Sequence, residues 1–214
     1  CMVKLCVIGI PMGLQYSVTA IGALVLQTAI NGMGAAVVAG VAAAQKINAF
    51  IASPVEALGQ TMAPYTGQNI GAGKLDRIGK GLLQTSLVGF GVSICCFLIA
   101  LLTGKYLVLL FLDAKEAQII AYACRFLLCC TGGFCLLTLV NAVRFTIQGM
   151  GFSVFAIISG VMEMIARILV AVLSARYFGF AGICLAHPTA WLFADLFLIP
   201  AFFYCRRRVA ASLR

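Results

Sequence analysis

Apolar residues run in six long, continuous stretches, parted by short polar or charged breaks. The stretches cover residues 5–30, 35–66, 82–103, 117–141, 152–175 and 181–204. Each reaches the ~20 apolar residues with which a helix crosses ~30 Å of hydrocarbon. Lipid offers no partner to backbone N–H and C=O groups, so a span is a helix or a strand of a closed barrel. Barrel strands alternate apolar and polar residues, and these stretches do not. The pattern predicts an all-α fold, a polytopic transmembrane bundle of six spans. It places a six-helix lobe at residues 1–205 and a basic tail at 206–214.

Composition agrees. A chain with 63% hydrophobic and 10% charged residues has too little polar surface to face water as a soluble domain. The net charge of +9 is informative through its placement. With the N-terminus on side one, that side holds Lys4, Lys74, Arg77, Lys80, Arg144, Arg206, Arg207, Arg208 and Arg214. Side two holds Lys105, Lys115 and Arg176, with Asp113 and Glu116 among them. Basic residues accumulate on the cytoplasmic side. The expectation is therefore a multi-pass protein of the cell (inner) membrane with both termini of the chain cytoplasmic. The basic surplus reads as topology, and nucleic acid is not an expected partner.

Of ten cysteines, Cys6, Cys95, Cys96, Cys124, Cys129, Cys130, Cys135 and Cys184 lie within the apolar stretches. No pair has C-x-x-C spacing, and His187 has no metal-ligand partner nearby in sequence. These thiols read as small apolar groups, with no metal expected. The chain starts at Cys1, with Met2 behind it, and enters a span almost at once, which suggests a piece of a longer protein.

The breaks are short. Asn31-Gly-Met-Gly34 reads as a tight turn, and Gly67–Arg77 is the most polar internal stretch. Gly104–Glu116 sets Tyr106, Leu107, Leu110 and Phe111 beside charges, the pattern of a short interfacial helix. The fourth break runs from Arg144 through Gln148 to Gly151, and the fifth is Arg176–Gly179. The second stretch is too long for one straight span, and Pro54 predicts a kink or break within it. Gln45, Asn48, Ala52, Glu56 and Gln60 fall on one helical face there, a polar stripe that must meet other helices or water. Gly67–Arg77 is no phosphate loop, because Leu75 follows Lys74 and Gln68 stands where the first glycine is needed.

Gly67-Gln-Asn-Ile-Gly-Ala-Gly-Lys-Leu-Asp-Arg77, after a proline-bearing helix, resembles the cytoplasmic loop between the eighth and ninth helices of the multidrug and toxic compound extrusion (MATE) family. Ile8-Gly-Ile-Pro-Met-Gly-Leu-Gln15 resembles the start of that family's seventh helix. Asn31-Gly-Met-Gly34 with Val41-Ala-Ala-Ala-Gln-Lys46 resembles the turn into the eighth. Gly179–Trp191 is similar to the beginning of the twelfth. The likeness covers nearly the whole chain and half of the family's twelve helices. It implies a C-terminal lobe partnered by a missing N-terminal lobe. Between the lobes, a cavity exports amphipathic, often cationic small molecules against inward Na+ or H+. It implies no cofactor beyond that coupling ion, and the lipid bilayer as surroundings. Some members carry a seventh-helix carboxylate, whereas the first span here has Gln15, Thr19 and Gln27.

Three carboxylates fall within spans, Glu56, Glu163 and Asp195. An ionisable group at that depth costs about 2.5–3.5 kcal/mol on insertion scales and is a functional candidate by default. Glu163 precedes Arg167 by one helical turn, which fits an orienting ion pair or a charge-balanced substrate site. Asp195 follows His187 and Trp191 at helical spacing and fits either a proton site or an interhelical hydrogen bond. Glu56 fits a packing brace or the wall of a cavity shared with Gln45, Asn48 and Gln60. Gln15, Gln27, Asn31 and Asn141 are candidate cavity liners or interhelical hydrogen-bonding groups. Arg125 and Lys46 fit cations that snorkel to the headgroups.

A flippase of lipid-linked sugar precursors is the second reading, and it asks for a more cationic cavity than Arg125, Arg167 and Lys46 supply. A non-transport assembly subunit predicts no polar stripes inside the spans. An enzyme is the least supported class, since no nucleophile–base set or metal cluster stands out.

Overall fold

The computed structural model describes residues 2–212. Its elements are α1 (Met2–Asn31), α2 (Ala35–Gln60), α3 (Met62–Gly71), α4 (Leu75–Leu109), α5 (Ala117–Gly132), α6 (Phe134–Gly149) and α7 (Ser153–Leu173). A π-helical turn at Ser174–Phe178, α8 (Gly179–Cys184) and α9 (Ala186–Ser212) complete them. No strand occurs among the described residues. Five helices or helix runs are long and apolar enough to cross a bilayer, and the α5–α6 pair, bent by 46°, makes a sixth. The fold is an all-α polytopic membrane bundle. Phe50, Leu24, Leu102 and Leu110 stand exposed on its outer surface, where lipid rather than water suits them.

Several boundaries differ from the pattern reading. Gly67–Arg77 is helical except at residues 72–74, where Gly73 turns the chain with φ 69°. Gly104–Glu116 holds the end of α4 rather than a separate interfacial helix. Pro54 does not end α2, which runs on to Gln60. Proline removes the N–H that would have bonded the Phe50 carbonyl, and the Ser53 hydroxyl donates to that carbonyl instead, at 2.9 Å. The break falls at Thr61, and Pro64 sits in the first turn of α3, where its missing N–H costs nothing. α9 carries the chain in helix through Arg206, Arg207 and Arg208 of the expected tail. Cys1, Leu213 and Arg214 lie outside the described residues, as do the side chains of Lys4 and Cys6.

α6 is the central helix, with every residue from Asn141 to Gln148 buried. It meets α2, α3, α4, α7 and α9, while α1 lies chiefly along α7. Two apolar cores stack along the helix axes. One gathers Leu26, Val41, Phe126, Leu127 and Ile183 toward the end that holds the turn at residues 31–34. The other gathers Val55, Phe134, Ile147, Leu198 and Cys205 toward the opposite end. α2 and α6 approach closely because Gly59 has no side chain. A Cβ there would stand 2.5 Å from that of Asn141.

Candidate functional site

α7 presents small residues to the bundle, with Ser153, Ala156, Ser159, Gly160, Ala166 and Ala171 all buried. Their helical spacing turns Glu163 and Arg167 inward on the same stripe. Glu163 there accepts from two arginines. Arg167, one turn along, donates through Nη2 at 3.2 Å, and Arg144 of α6 donates through its own Nη2 to the other carboxylate oxygen. Arg144 Nε also donates to Ser159 Oγ at 3.0 Å, and Arg167 Nη1 to the Thr19 carbonyl of α1 at 3.1 Å. All three charged residues are buried. The cluster thus holds two guanidinium groups on one carboxylate. Shared hydrogen bonds satisfy most of its polar atoms, the condition under which buried charge is tolerated.

Arg144 corrects the sequence reading, which ended the fourth span at Asn141 and put Arg144 in a loop. The helix reaches Gly149 because it restarts at the Gly132-Gly133 break. The available signal was an arginine with apolar residues on both sides, Val143 and Phe145, rather than a cluster of charges.

The cluster borders a cavity of about 300 Å³. α1 contributes Gln15, Tyr16 and Thr19, and α2 contributes Asn48, Ala52, Glu56 and Gln60. α6 adds Asn141 and Arg144, α7 adds Glu163 and Arg167, and α9 adds His187 and Trp191. Of the polar stripe on α2, all but Gln45 therefore lines the cavity. Glu56 is exposed there. Asn141 is buried, and its amide nitrogen has no protein partner. Gln15 accepts from Gln148 Nε2 at 2.8 Å, so α1 and α6 are tied beside the cluster.

Three expected site residues stand apart from this wall. Gln27 donates to Asn31 Oδ1 at 3.0 Å near the far end of α1. Gln45 is half-buried on α2, outside the lining. Asp195 is buried on α9 without lining the cavity. His187 packs between aromatic rings, 5.9 Å from Phe126 and 5.8 Å from Trp191. Arg125 and Lys46 are exposed, and Lys46 Nζ lies 5.9 Å from the Phe111 ring. The wall can therefore offer a ligand a carboxylate (Glu56), amides, an aromatic edge and a charge cluster fixed behind them.

The family model MatE matches residues 11–173, in agreement with the resemblance read from Gly67–Arg77 and its companion phrases. The probable multidrug resistance protein YpnP of Bacillus subtilis (strain 168) is 30% identical over 110 residues, 51% of this chain and 25% of that protein. An outward-facing multidrug resistance MATE family transporter of the MOP superfamily superposes with a TM-score of 0.84 at 17% identity, over 98% of this chain and 47% of that one. A crystal structure of MATE in complex with MaL6 also gives 0.84, at 16% identity, over 97% of this chain and 47% of that one. At such identities the two superpositions show the fold. The chain spans about half the length of these solved structures.

Proposed function

Because the chain belongs to the MatE family, we propose that it forms the C-terminal lobe of a secondary active antiporter. That antiporter exports amphipathic, often cationic compounds in exchange for Na+ or H+. The observation that carries the reading is the Arg144–Glu163–Arg167 cluster on the wall of a 300 Å³ cavity. Charged side chains held among membrane helices are costly even when paired, and by default they mark a functional site. Glu56, on the same wall, supplies an accessible carboxylate for a cationic ligand. A second lobe closes the other side of the cavity, and the two rock about it in alternating access. The bundle sits in the cell (inner) membrane, and the end that carries Lys74, Lys80 and Arg206 faces the cytoplasm.

Efflux of a fluorescent cationic dye from cells expressing the complete transporter that carries this lobe tests the proposal. Glu163→Gln and, where folding suffers, the exposed Glu56→Gln should each raise dye accumulation at matched protein levels. Accumulation left unchanged by neutralising Glu56, Glu163 and Asp195 in turn rejects the coupling role of this lobe.

Arg144 gives the flippase reading one specific support, since a second arginine reaches the cavity that sequence alone put in a loop. Glu163 neutralises half of that pair and Glu56 adds a second carboxylate to the same lining, so the export reading stays ahead. Transport of a lipid-linked pyrophosphate in place of the dye would reverse the order.

A further inference from the structure

α4 and α9 both pack against α6, and between their charged ends lies an open cleft of about 490 Å³. Asp76, Gly79, Lys80 and Leu83 of α4 line it, with Arg206 of α9. The Arg206 guanidinium lies over Gly79, where a Cβ would stand 3.6 Å from Nη1. Lys80 and Arg206 therefore reach one level of the bundle from two different helices. Neither cation makes an ion pair or a side-chain hydrogen bond among the described residues, and neither does Asp76. Two cations and one carboxylate leave the lining with one positive charge in excess. Lys74, Arg77, Arg207 and Arg208 are exposed on the flanking turns without lining the cleft.

The cleft opens beside apolar surface. Leu83 and Leu87, one turn apart on α4, are exposed, as is Phe203, one turn before Arg206 on α9. Gly91, a further turn along the Leu83–Leu87 face, has nothing within 4 Å of where its Cβ would be, which leaves a shallow groove down α4. These residues belong to stretches that cross the hydrocarbon, whereas Asp76, Lys80 and Arg206 stand just beyond it. A phospholipid has the same order of chemistry, an anionic phosphate at the interface and acyl chains beside the span. A free anion would leave the apolar part of the cleft unused. Basic pockets between membrane helices are known to hold anionic headgroups. We propose that the α4–α9 cleft binds the phosphodiester of an anionic phospholipid of the phosphatidylglycerol type. Lys80 and Arg206 donate to the phosphate oxygens, and Asp76 accepts from a headgroup hydroxyl. One acyl chain lies along Leu83, Leu87 and Gly91. The single negative charge of a phosphodiester balances the lining, and the bound lipid bridges α4 to α9. The site requires no transport activity.

Phosphatidylglycerol titrated into the complete transporter that carries this lobe, in detergent, with bound lipid counted by native mass spectrometry, decides the site. Lys80→Ala and Arg206→Ala should each weaken binding about fivefold. The paired control Lys74→Ala with Arg207→Ala removes the same charge from outside the lining and should leave affinity near wild type. A control pair that loses as much as Lys80→Ala with Arg206→Ala would show that net charge alone attracts the lipid, and would overturn the site. Lys80→Arg keeps the charge and should keep the binding. Gly91→Phe fills the groove and should weaken binding with every charge in place. Phosphatidylcholine has no net charge and should bind more weakly than phosphatidylglycerol, and equal binding of the two would reject the phosphodiester assignment. Inorganic phosphate at the lipid's concentration should leave the lipid bound, and displacement would assign the cleft to a free anion instead.

Discussion

Gln148, near the end of α6, donates a 2.8 Å hydrogen bond to the side-chain oxygen of Gln15 on α1, joining residues 133 positions apart. Both side chains are buried. α1 otherwise leans chiefly on α7, so this bond fixes the helix against a second element at the edge of the cavity. Hydrogen bonds between membrane helices average about 0.6 kcal/mol, and stranding a buried partner raises the loss to about 1–3 kcal/mol. Gln148→Leu should therefore lower stability by about 1 kcal/mol in denaturant unfolding from detergent. Gln15→Leu added to it should cost little more, because the pair is already broken. Additive losses would show that the two amides act separately.

One carboxylate serving two arginines makes the three members of the charged cluster unequal. Glu163→Gln strands both Arg144 and Arg167, while Arg144→Gln leaves the Arg167–Glu163 pair neutral. Breaking a buried pair costs about 3–5 kcal/mol when a charge is left uncompensated. Glu163→Gln should reach that range, with Arg144→Gln and Arg167→Gln each well below it. Thermal unfolding of the three variants in one detergent gives the ranking. An arginine variant less stable than Glu163→Gln would contradict the shared-carboxylate arrangement.

The six spans were legible because lipid demands long apolar stretches, and that demand leaves a strong mark on composition. Their ends were less so. Residues 75–81 and 105–109 are helical despite their charges, since a membrane helix projects beyond the hydrocarbon and is free to carry lysine there. Pro54 signalled a break that the Ser53 hydroxyl makes unnecessary. Glu163 with Arg167 was visible as a one-turn pair, and the stripe from Asn48 to Gln60 as a polar face, because both obey helical periodicity. The partnership of Arg144 with Glu163 was hidden, because it depends on how α6 restarts after Gly133 and packs against α7, and no local spacing encodes that.

Membrane embedding and orientation are open to chemical labelling in a background whose native cysteines are replaced. Leu102 is 74% exposed on α4, yet a lipid-facing thiol does not ionise, and the thiolate is the reactive form. Leu102→Cys should resist a charged maleimide in membranes. Lys80 and Lys115 are both exposed, at opposite ends of the bundle. With the basic end cytoplasmic, Lys115→Cys should react in intact spheroplasts and Lys80→Cys only after they are opened. The reverse order of reaction would invert the orientation while leaving the fold untouched. Ready labelling of Leu102→Cys would mean that the apolar outer surface meets water, and the transport reading would lose its foundation.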